Sequence, residues 1–177
     1  MNDVVLMHRS SEDTSDDEFR ALFDASYARV VRTVYFVVHD LSVAEEITQD
    51  AFTELFRYWT RVRSYDRPES WVRRVAIRKA QREATRSGRR TRLERVAAPR
   101  EIVHDEPSVP DPELMAAIRT LPPRQRAVLV LYYLEDRPMS EVADLVGCSP
   151  STGFVQLHQA RKRLAALLEE EVDGDVR

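Results

Sequence analysis

The sequence predicts an all-α protein built from two small helical domains, and three observations support this fold class. Apolar residues recur at helical spacing through most of the 177 residues, whereas the alternation expected of strands is nearly absent. The chain has only four glycines, and its nine prolines leave most of it free to form helices. Four of these prolines fall within residues 96–112 among acidic residues, a composition typical of a linker between domains.

The N-terminal domain is predicted to start after an acidic leader. Residues 1–15 lack helical periodicity, and we expect them to be disordered. The first helix should begin near Asp16, because three consecutive acids place negative charge at a helix N-terminus. Its apolar positions continue at helical spacing as far as Tyr35. We expect this domain to extend over residues 16–95.

Two further helices are predicted in the same domain. Ser42 and Glu45 match the capping-box pattern for a second helix that continues to about Arg57. A third helix is expected over residues 69–86, with Ser87-Gly88 as its end.

The second domain is predicted over residues 113–170, after the linker and before an acidic tail at 171–177. Gly147 suits a left-handed turn, and Ser149 followed by Pro150 suits the start of a helix. The expected helices span residues 113–121, 124–134, 137–146 and 150–170.

The last two helices have helix-turn-helix form. Val142, Ala143 and Val146 would pack the shorter helix on the longer one, and the turn at Gly147 would set a wide angle between them. The longer helix is then free to enter a major groove of DNA. Short helix pairs with a glycine turn also occur as scaffolding, so this pattern leaves both readings open.

Charge is strongly segregated along the chain although the net charge is only −3. Residues 57–95 contain fourteen Arg or Lys against four Asp or Glu, whereas residues 1–20 contain six acids against two bases. A basic block of this kind suits contact with DNA phosphates, since neutralising them releases counterions. A solvated helix face is the alternative explanation.

Several classes of function are disfavoured by the composition. The four histidines are scattered and Cys148 is the single cysteine, so neither a metal site nor a cofactor is expected, and Cys148 reads as a small packed hydrophobe. No nucleophile, base and orienting residue occur in a recognisable arrangement, so we do not expect an enzyme. No apolar run is long enough to cross a bilayer and the N-terminus is acidic, which predicts a cytoplasmic protein.

Four motifs carry a resemblance to a known family. Residues 44–52 (AEEITQDAF) and 68–76 (PESWVRRVA) resemble the region-two domain of extracytoplasmic-function sigma factors of RNA polymerase, which belong to the sigma-70 family. Residues 121–131 (LPPRQRAVLVL) and 157–164 (LHQARKRL) resemble the region-four domain of the same family. The resemblance covers about two thirds of the chain, with the two regions in the family's order.

This resemblance implies roles for region two. The acidic face of its second helix would dock on core RNA polymerase. Its third helix and the preceding loop would engage and open the −10 element, with Tyr65 stacking on an unpaired base. The implied polymerase-binding residues are Glu45, Glu46, Gln49, Asp50 and Glu54. The implied −10 contacts are Arg63, Tyr65, Arg73, Arg74, Arg78, Lys79 and Arg82.

Region four would read the −35 element through the last helix, and here the sequence departs from the family. The family commonly has a valine where this chain has Gly153, and basic residues where it has Phe154, Gln156 and Gln159. Gln156 suits adenine, while Phe154 suits a thymine methyl or would repack against the gap at Gly153. Promoter preference should therefore be atypical. The implied contacts are Ser151, Thr152, Phe154, Gln156, His158, Gln159, Arg161 and Lys162.

The sequence leaves two other functions open. One is a sigma-like protein-binding module that occupies polymerase or an anti-sigma factor without productive promoter recognition. The other is a helix-turn-helix regulator that uses only the last domain, which leaves residues 19–86 unexplained. The expected partners are core polymerase, promoter DNA and, by resemblance alone, an anti-sigma factor.

Overall fold

The computed structural model describes residues 3–93 and 112–174, and within these ranges it contains helices and no strand. The predicted all-α fold class is confirmed. Most of the predicted linker lies outside the described residues. The elements in chain order are α1 (Asp3–Val38), α2 (Leu41–Arg57), α3 (Trp59–Val62), α4 (Pro68–Leu93), α5 (Pro112–Thr120), α6 (Pro123–Leu129), a π-helical turn (Val130–Leu134), α7 (Met139–Val146) and α8 (Pro150–Gly174).

Helices α1, α2 and α4 pack into an N-terminal group because each has one continuous apolar stripe. Phe23 meets the ring of Phe52 edge-on at 4.9 Å between centroids, which joins α1 to α2. Val72 and Ala76 place the apolar side of α4 on both helices. Close packing of small and aromatic side chains fixes this three-helix core.

Helices α5 to α8 form a C-terminal group with its own buried centre, which includes Leu121, Leu131 and Leu157. The two groups are also packed on each other. Helix α7 lies against α4, and α6 lies against both α1 and α4. The buried apolar residues of the described chain form one continuous cluster across this boundary.

The prediction that residues 1–15 are disordered is wrong for most of this segment, because α1 begins at Asp3 and not near Asp16. Residues 3–15 contain no proline or glycine, so nothing in the backbone chemistry stops a helix there. The indole N–H of Trp59 donates to the carbonyl of Ser15 at 2.8 Å, which holds this part of α1 on the core.

Other helix boundaries also differ from prediction. Helix α4 passes through Gly88 to Leu93, since one glycine costs a helix only about 1 kcal/mol and good helix formers flank it. Helix α8 continues to Gly174, into the predicted acidic tail. At the start of α2 the side chain of Asp40 accepts from the backbone N–H of Val43 at 3.0 Å, so Asp40 caps this helix instead of the predicted pair.

Candidate nucleic-acid interface

Helices α7 and α8 form the predicted helix-turn-helix. Gly147 has φ 81°, a left-handed conformation that glycine adopts without steric cost, and its N–H donates to the carbonyl of Ala143 at 2.9 Å. The hydroxyl of Ser149 accepts from the N–H of Thr152 at 3.2 Å, which caps α8. Val142 and Val146 are buried between the two helices as predicted. The turn therefore holds α8 at a fixed angle on α7.

The outward face of α8 is open to solvent. Phe154 is 54% exposed, so its ring is accessible to a binding partner. Gln156 is half-buried, whereas the other predicted −35 contacts are exposed. These exposed residues are Ser151, Thr152, Phe154, His158, Gln159, Arg161 and Lys162.

The inward face of α8 corrects the expectation of a gap at Gly153. A Cβ atom at this position would lie 2.5 Å from the sulfur of Met139, so the space is already filled. Both residues are buried, and Phe154 points away from this contact into solvent. Gly153 is thus matched to Met139 of α7 and lets α8 lie close to it.

A polar chain fixes the middle of α8 on α6. The amide of Gln125 donates to the side-chain carbonyl of Gln159 at 2.9 Å, and the guanidinium of Arg163 donates to Gln125 at 2.7 Å. Gln125 is buried, so its two satisfied hydrogen bonds orient α8 specifically. Arg163 therefore fixes α8 on α6 through Gln125. Arg161 and Lys162 are exposed and remain available to contact phosphate.

The basic face of α4 divides into three parts. Arg78 and Arg82 are exposed and form no ion pair among the residues that the structure describes. Lys79 is paired with Asp50 of α2 at 3.1 Å. Arg74 hydrogen-bonds Asp144 of α7.

Arg73 does not lie where the sequence placed it. It was expected to contact phosphate, but the structure buries it at 3% exposure, with its guanidinium 2.7 Å from the carboxylate of Glu135. Burial lowers the pKa of Arg73, against the opposing attraction of Glu135. Helical spacing shows that Arg73 lies off the main apolar stripe, but not that another helix group covers this side of α4.

The loop before α4 carries Tyr65, which is 41% exposed. A cavity of about 440 Å³ opens beside it, between this loop and α7, with Trp71 and Leu145 among its walls. Arg63, also in the loop, reaches Glu18 of α1 at 3.4 Å. The loop thus presents an aromatic ring at the edge of this cleft.

The acidic face of α2 is on the surface, as predicted. Glu45, Glu46, Gln49 and Asp50 are exposed, and Glu54 is half-buried. Lys79 of α4 lies 3.1 Å from Asp50 and 3.8 Å from Glu54, which neutralises part of this surface. Glu45 and Glu46 form no ion pair among the described residues, so no cation there compensates their charge.

Arg126 is a structural cation that sequence reasoning missed. Its guanidinium donates to the carbonyls of Val37 at 2.5 Å, Arg119 at 2.6 Å and Leu121 at 2.9 Å. Val37 and Arg119 lie at the C-terminal ends of α1 and α5, where helix dipoles favour a positive charge. Burial lowers the pKa of Arg126 to about 10.

His39 lies beside this cation in the turn between α1 and α2, with φ 58°. Burial and the positive charges of Arg126 and Arg119 lower the pKa of His39 to about 3. The imidazole is therefore neutral at physiological pH, and both ring nitrogens are buried without a hydrogen-bond partner. Neither Arg126 nor His39 belongs to a periodic pattern in the sequence that would have predicted its role.

The described residues contain no cluster of three metal-ligating side chains. None of the helices in residues 3–93 and 112–174 has the length and apolar character needed to span a bilayer.

Comparison with known proteins places this geometry in a family. Residues 22–90 match the model of sigma-70 region 2, and residues 112–164 match that of sigma-70 region 4. The chain belongs to the sigma-70 family and is of the extracytoplasmic-function type. It is a non-catalytic factor of transcription initiation.

Particular relatives match most of this chain. The chain is 29% identical over 157 residues to the RNA polymerase sigma-E factor of Streptomyces antibioticus, covering 86% of this chain and 85% of that one. It is 31% identical over 149 residues to the ECF RNA polymerase sigma factor SigE of Mycolicibacterium smegmatis. This match covers 77% of this chain and 56% of the SigE chain. Its fold resembles that of the sigma factor RpoE, which was solved in complex with the anti-sigma factor NepR from Bartonella quintana. The TM-score is 0.64 and the sequence identity is 18%. The match covers 86% of this chain and 97% of the RpoE chain.

Proposed function

We propose that this chain is a dissociable specificity subunit that places core RNA polymerase at promoters through two separate DNA-reading surfaces. It is a sigma factor that directs promoter-specific initiation, and its partners are core RNA polymerase and promoter DNA. The observation that carries this function is the match of region two and region four, in that order, on one chain. The alternative of a sigma-like module without promoter recognition is not favoured.

Helix α2 is the proposed docking surface for polymerase. Glu45 and Glu46 contribute free negative charge, and Gln49 extends the same exposed face. Asp50 and Glu54 are shared with Lys79, so a basic partner has to compete with Lys79 for them. Charge complementarity of this kind speeds association and fixes register.

Helix α4 and the loop before it are the proposed −10 surface. Arg78 and Arg82 contact phosphate, because they are the exposed cations of α4 without an ion pair among the described residues. Tyr65 stacks on an unpaired base at the edge of the neighbouring cavity. Arg63 lies at the same end of the surface.

Helix α8 is the proposed −35 surface. Arg161 and Lys162 hold phosphate, while the first two turns present Ser151, Thr152 and Phe154 to base edges. This face contains few cations, so it suits adenine and thymine better than guanine. Gln156, half-buried beside it, can pair with adenine.

The site of action is the cytoplasm, because core polymerase acts there. An anti-sigma factor is a further proposed partner, by family resemblance.

Run-off transcription tests the proposal. Purified core polymerase is incubated with genomic fragments, with and without the protein, and the expected result is discrete transcripts that require the protein. Stable binding to core polymerase with no transcript from any fragment, including the DNA upstream of the protein's own gene, would contradict it.

A charge-reversal pair sharpens this test. Arg78→Glu with Arg82→Glu should abolish these transcripts while core binding persists. Arg20→Glu is a single-site control for charge reversal, on an exposed residue of α1 outside the basic face.

A further inference from the structure

A cavity of about 270 Å³ lies between the second half of α1 and the π-helical turn. Its walls combine positive charge with apolar surface. The cations are Arg29, Arg32 and Arg137, and the apolar side chains are Phe36, Val130 and Leu134. None of these residues belongs to the polymerase or DNA surfaces proposed above.

The carboxylate of Glu135 also lines the cavity, but its oxygens are already occupied. One oxygen accepts from Arg73 at 2.7 Å and from Arg137 at 2.8 Å. The other accepts from the hydroxyl of Thr33. Glu135 therefore leaves the other arginines of the cavity without a hydrogen-bonded carboxylate.

Arg29 and Arg32 are these remaining cations. They are three residues apart in α1, which places them on the same side of the helix. Both are exposed, and neither forms an ion pair in the part of the chain that the structure describes. A guanidinium is a planar donor whose geometry matches a carboxylate. The cavity thus has donors for an anion from outside the described chain.

The apolar walls restrict which anion fits. The guanidinium carbon of Arg32 lies 5.8 Å from the ring centroid of Phe36. Val130 is buried, whereas Leu134 is 49% exposed at the rim. An anion with an apolar group would cover these walls, and the cavity is near the lower end of the roughly 300–1,000 Å³ usual for small-molecule sites. The fitting ligand is therefore small and partly apolar.

The backbone of one wall has an uncommon geometry, which is an independent indication of a binding role. Residues Val130–Leu134 form a π-helical turn, and the N–H of Glu135 donates to the carbonyl of Val130 at 3.3 Å. Asp136 follows with φ 50°, a left-handed conformation uncommon for residues other than glycine. Both features occur preferentially at functional sites.

We propose that this cavity binds a small organic carboxylate with an apolar body, such as an aromatic acid. Arg29 and Arg32 bind the carboxylate group. Phe36, Val130 and Leu134 contact the apolar body. The site goes beyond the proposed function, and its test does not depend on transcription.

Benzoate is the probe, with acetate and benzyl alcohol as matched controls. Acetate keeps the carboxylate without the ring, and benzyl alcohol keeps the ring without the charge. Each is titrated into the isotope-labelled full chain at constant ionic strength and followed by two-dimensional NMR.

Benzoate should give saturable shifts of the backbone amides of residues 29–36 and 130–137. Its affinity should exceed that of either control by about tenfold or more, because only benzoate satisfies both the arginines and the apolar walls. Equal affinities of benzoate and acetate, or shifts confined to other residues, would overturn the proposal.

Single-site variants test the cations. Arg29→Gln and Arg32→Gln should each weaken benzoate binding by about tenfold, since a charge-assisted hydrogen bond is lost. Arg20→Gln is the matched control, on an exposed arginine of the same helix that does not line the cavity. Wild-type affinity in both cavity variants, or an equal loss in the control, would reject the site.

Leu134→Ala tests the apolar wall separately and should weaken benzoate binding by about threefold or more. Val155→Ala is its control, because Val155 of α8 is 53% exposed and lies outside the cavity. Unchanged benzoate affinity of Leu134→Ala would contradict the assigned wall. Circular dichroism verifies that each variant stays helical. The two sets of variants change opposite walls, so misfolding of one still leaves the other as a test.

Discussion

Met139 and Gly153 share one space between α7 and α8, because the sulfur of Met139 lies 2.5 Å from where a Cβ of residue 153 would be. A glycine in the first turn of α8 is unfavourable for the helix by about 1 kcal/mol. The larger methionine on the facing helix offsets this by filling the interface. The pair sets how closely the proposed −35 helix lies on its support.

We predict that Gly153→Val alone lowers the free energy of unfolding by about 1–3 kcal/mol, because it overpacks the contact with Met139. Met139→Ala alone should cost about 2–5 kcal/mol through the cavity it leaves. The double variant should cost clearly less than the sum, as residues in contact are coupled. Urea unfolding of the four proteins measures this, and additive costs would show that the two side chains do not compete.

Arg126→Met should lower the free energy of unfolding by about 3 kcal/mol, since two buried carbonyls and one partly buried carbonyl lose a charged donor. Arg124→Met is the control: Arg124 is exposed two residues away, and its loss should stay within about 0.5 kcal/mol. Chemical denaturation at neutral pH compares them. Equal effects of the two variants would contradict the structural role of Arg126.

Stability should fall as the pH drops below about 6.5, in part because of His39. Its pKa is lowered to about 3 in the folded protein, so below its ordinary value the unfolded chain binds a proton that the folded chain does not. Between pH 7 and pH 5 this should remove about 2 kcal/mol.

His39→Asn isolates that contribution, as asparagine tolerates the left-handed backbone at this position. The variant should show a pH dependence flatter by about 2 kcal/mol over the same interval, measured by urea unfolding. An unchanged slope would mean that His39 does not resist protonation.

Glu45→Lys with Glu46→Lys should weaken binding to core polymerase by at least tenfold, because these are the uncompensated carboxylates of α2. Asp24→Lys is a single-site control for charge reversal, on an exposed face of α1. Fluorescence titration of labelled protein with core polymerase compares the two. A loss of the same size for Asp24→Lys would indicate a general charge effect instead of a docking surface.

The sequence predicted the fold class and the local geometry of the helix-turn-helix. Gly147 and Ser149 have turn and capping roles that depend only on their neighbours, so their chemistry is readable without a structure. The apolar stripes of α2 and α4 were readable for the same reason.

Contacts between distant segments were not predictable in this way. Thr33 and Glu135 are 102 positions apart and meet only because α1 packs beside the segment before α7. Periodicity assigns a residue to a face of its own helix, but it does not identify the helix that covers this face. Arg73 was misplaced for that reason, and Gly153 was misread because its partner Met139 lies on another helix.

The central claim is that this chain directs polymerase to open promoters, and permanganate footprinting measures opening directly. Core polymerase with the protein should make thymines reactive around the −10 element of each transcribed fragment, and core polymerase alone should not. Protein-bound polymerase that leaves every fragment double-stranded would contradict the account.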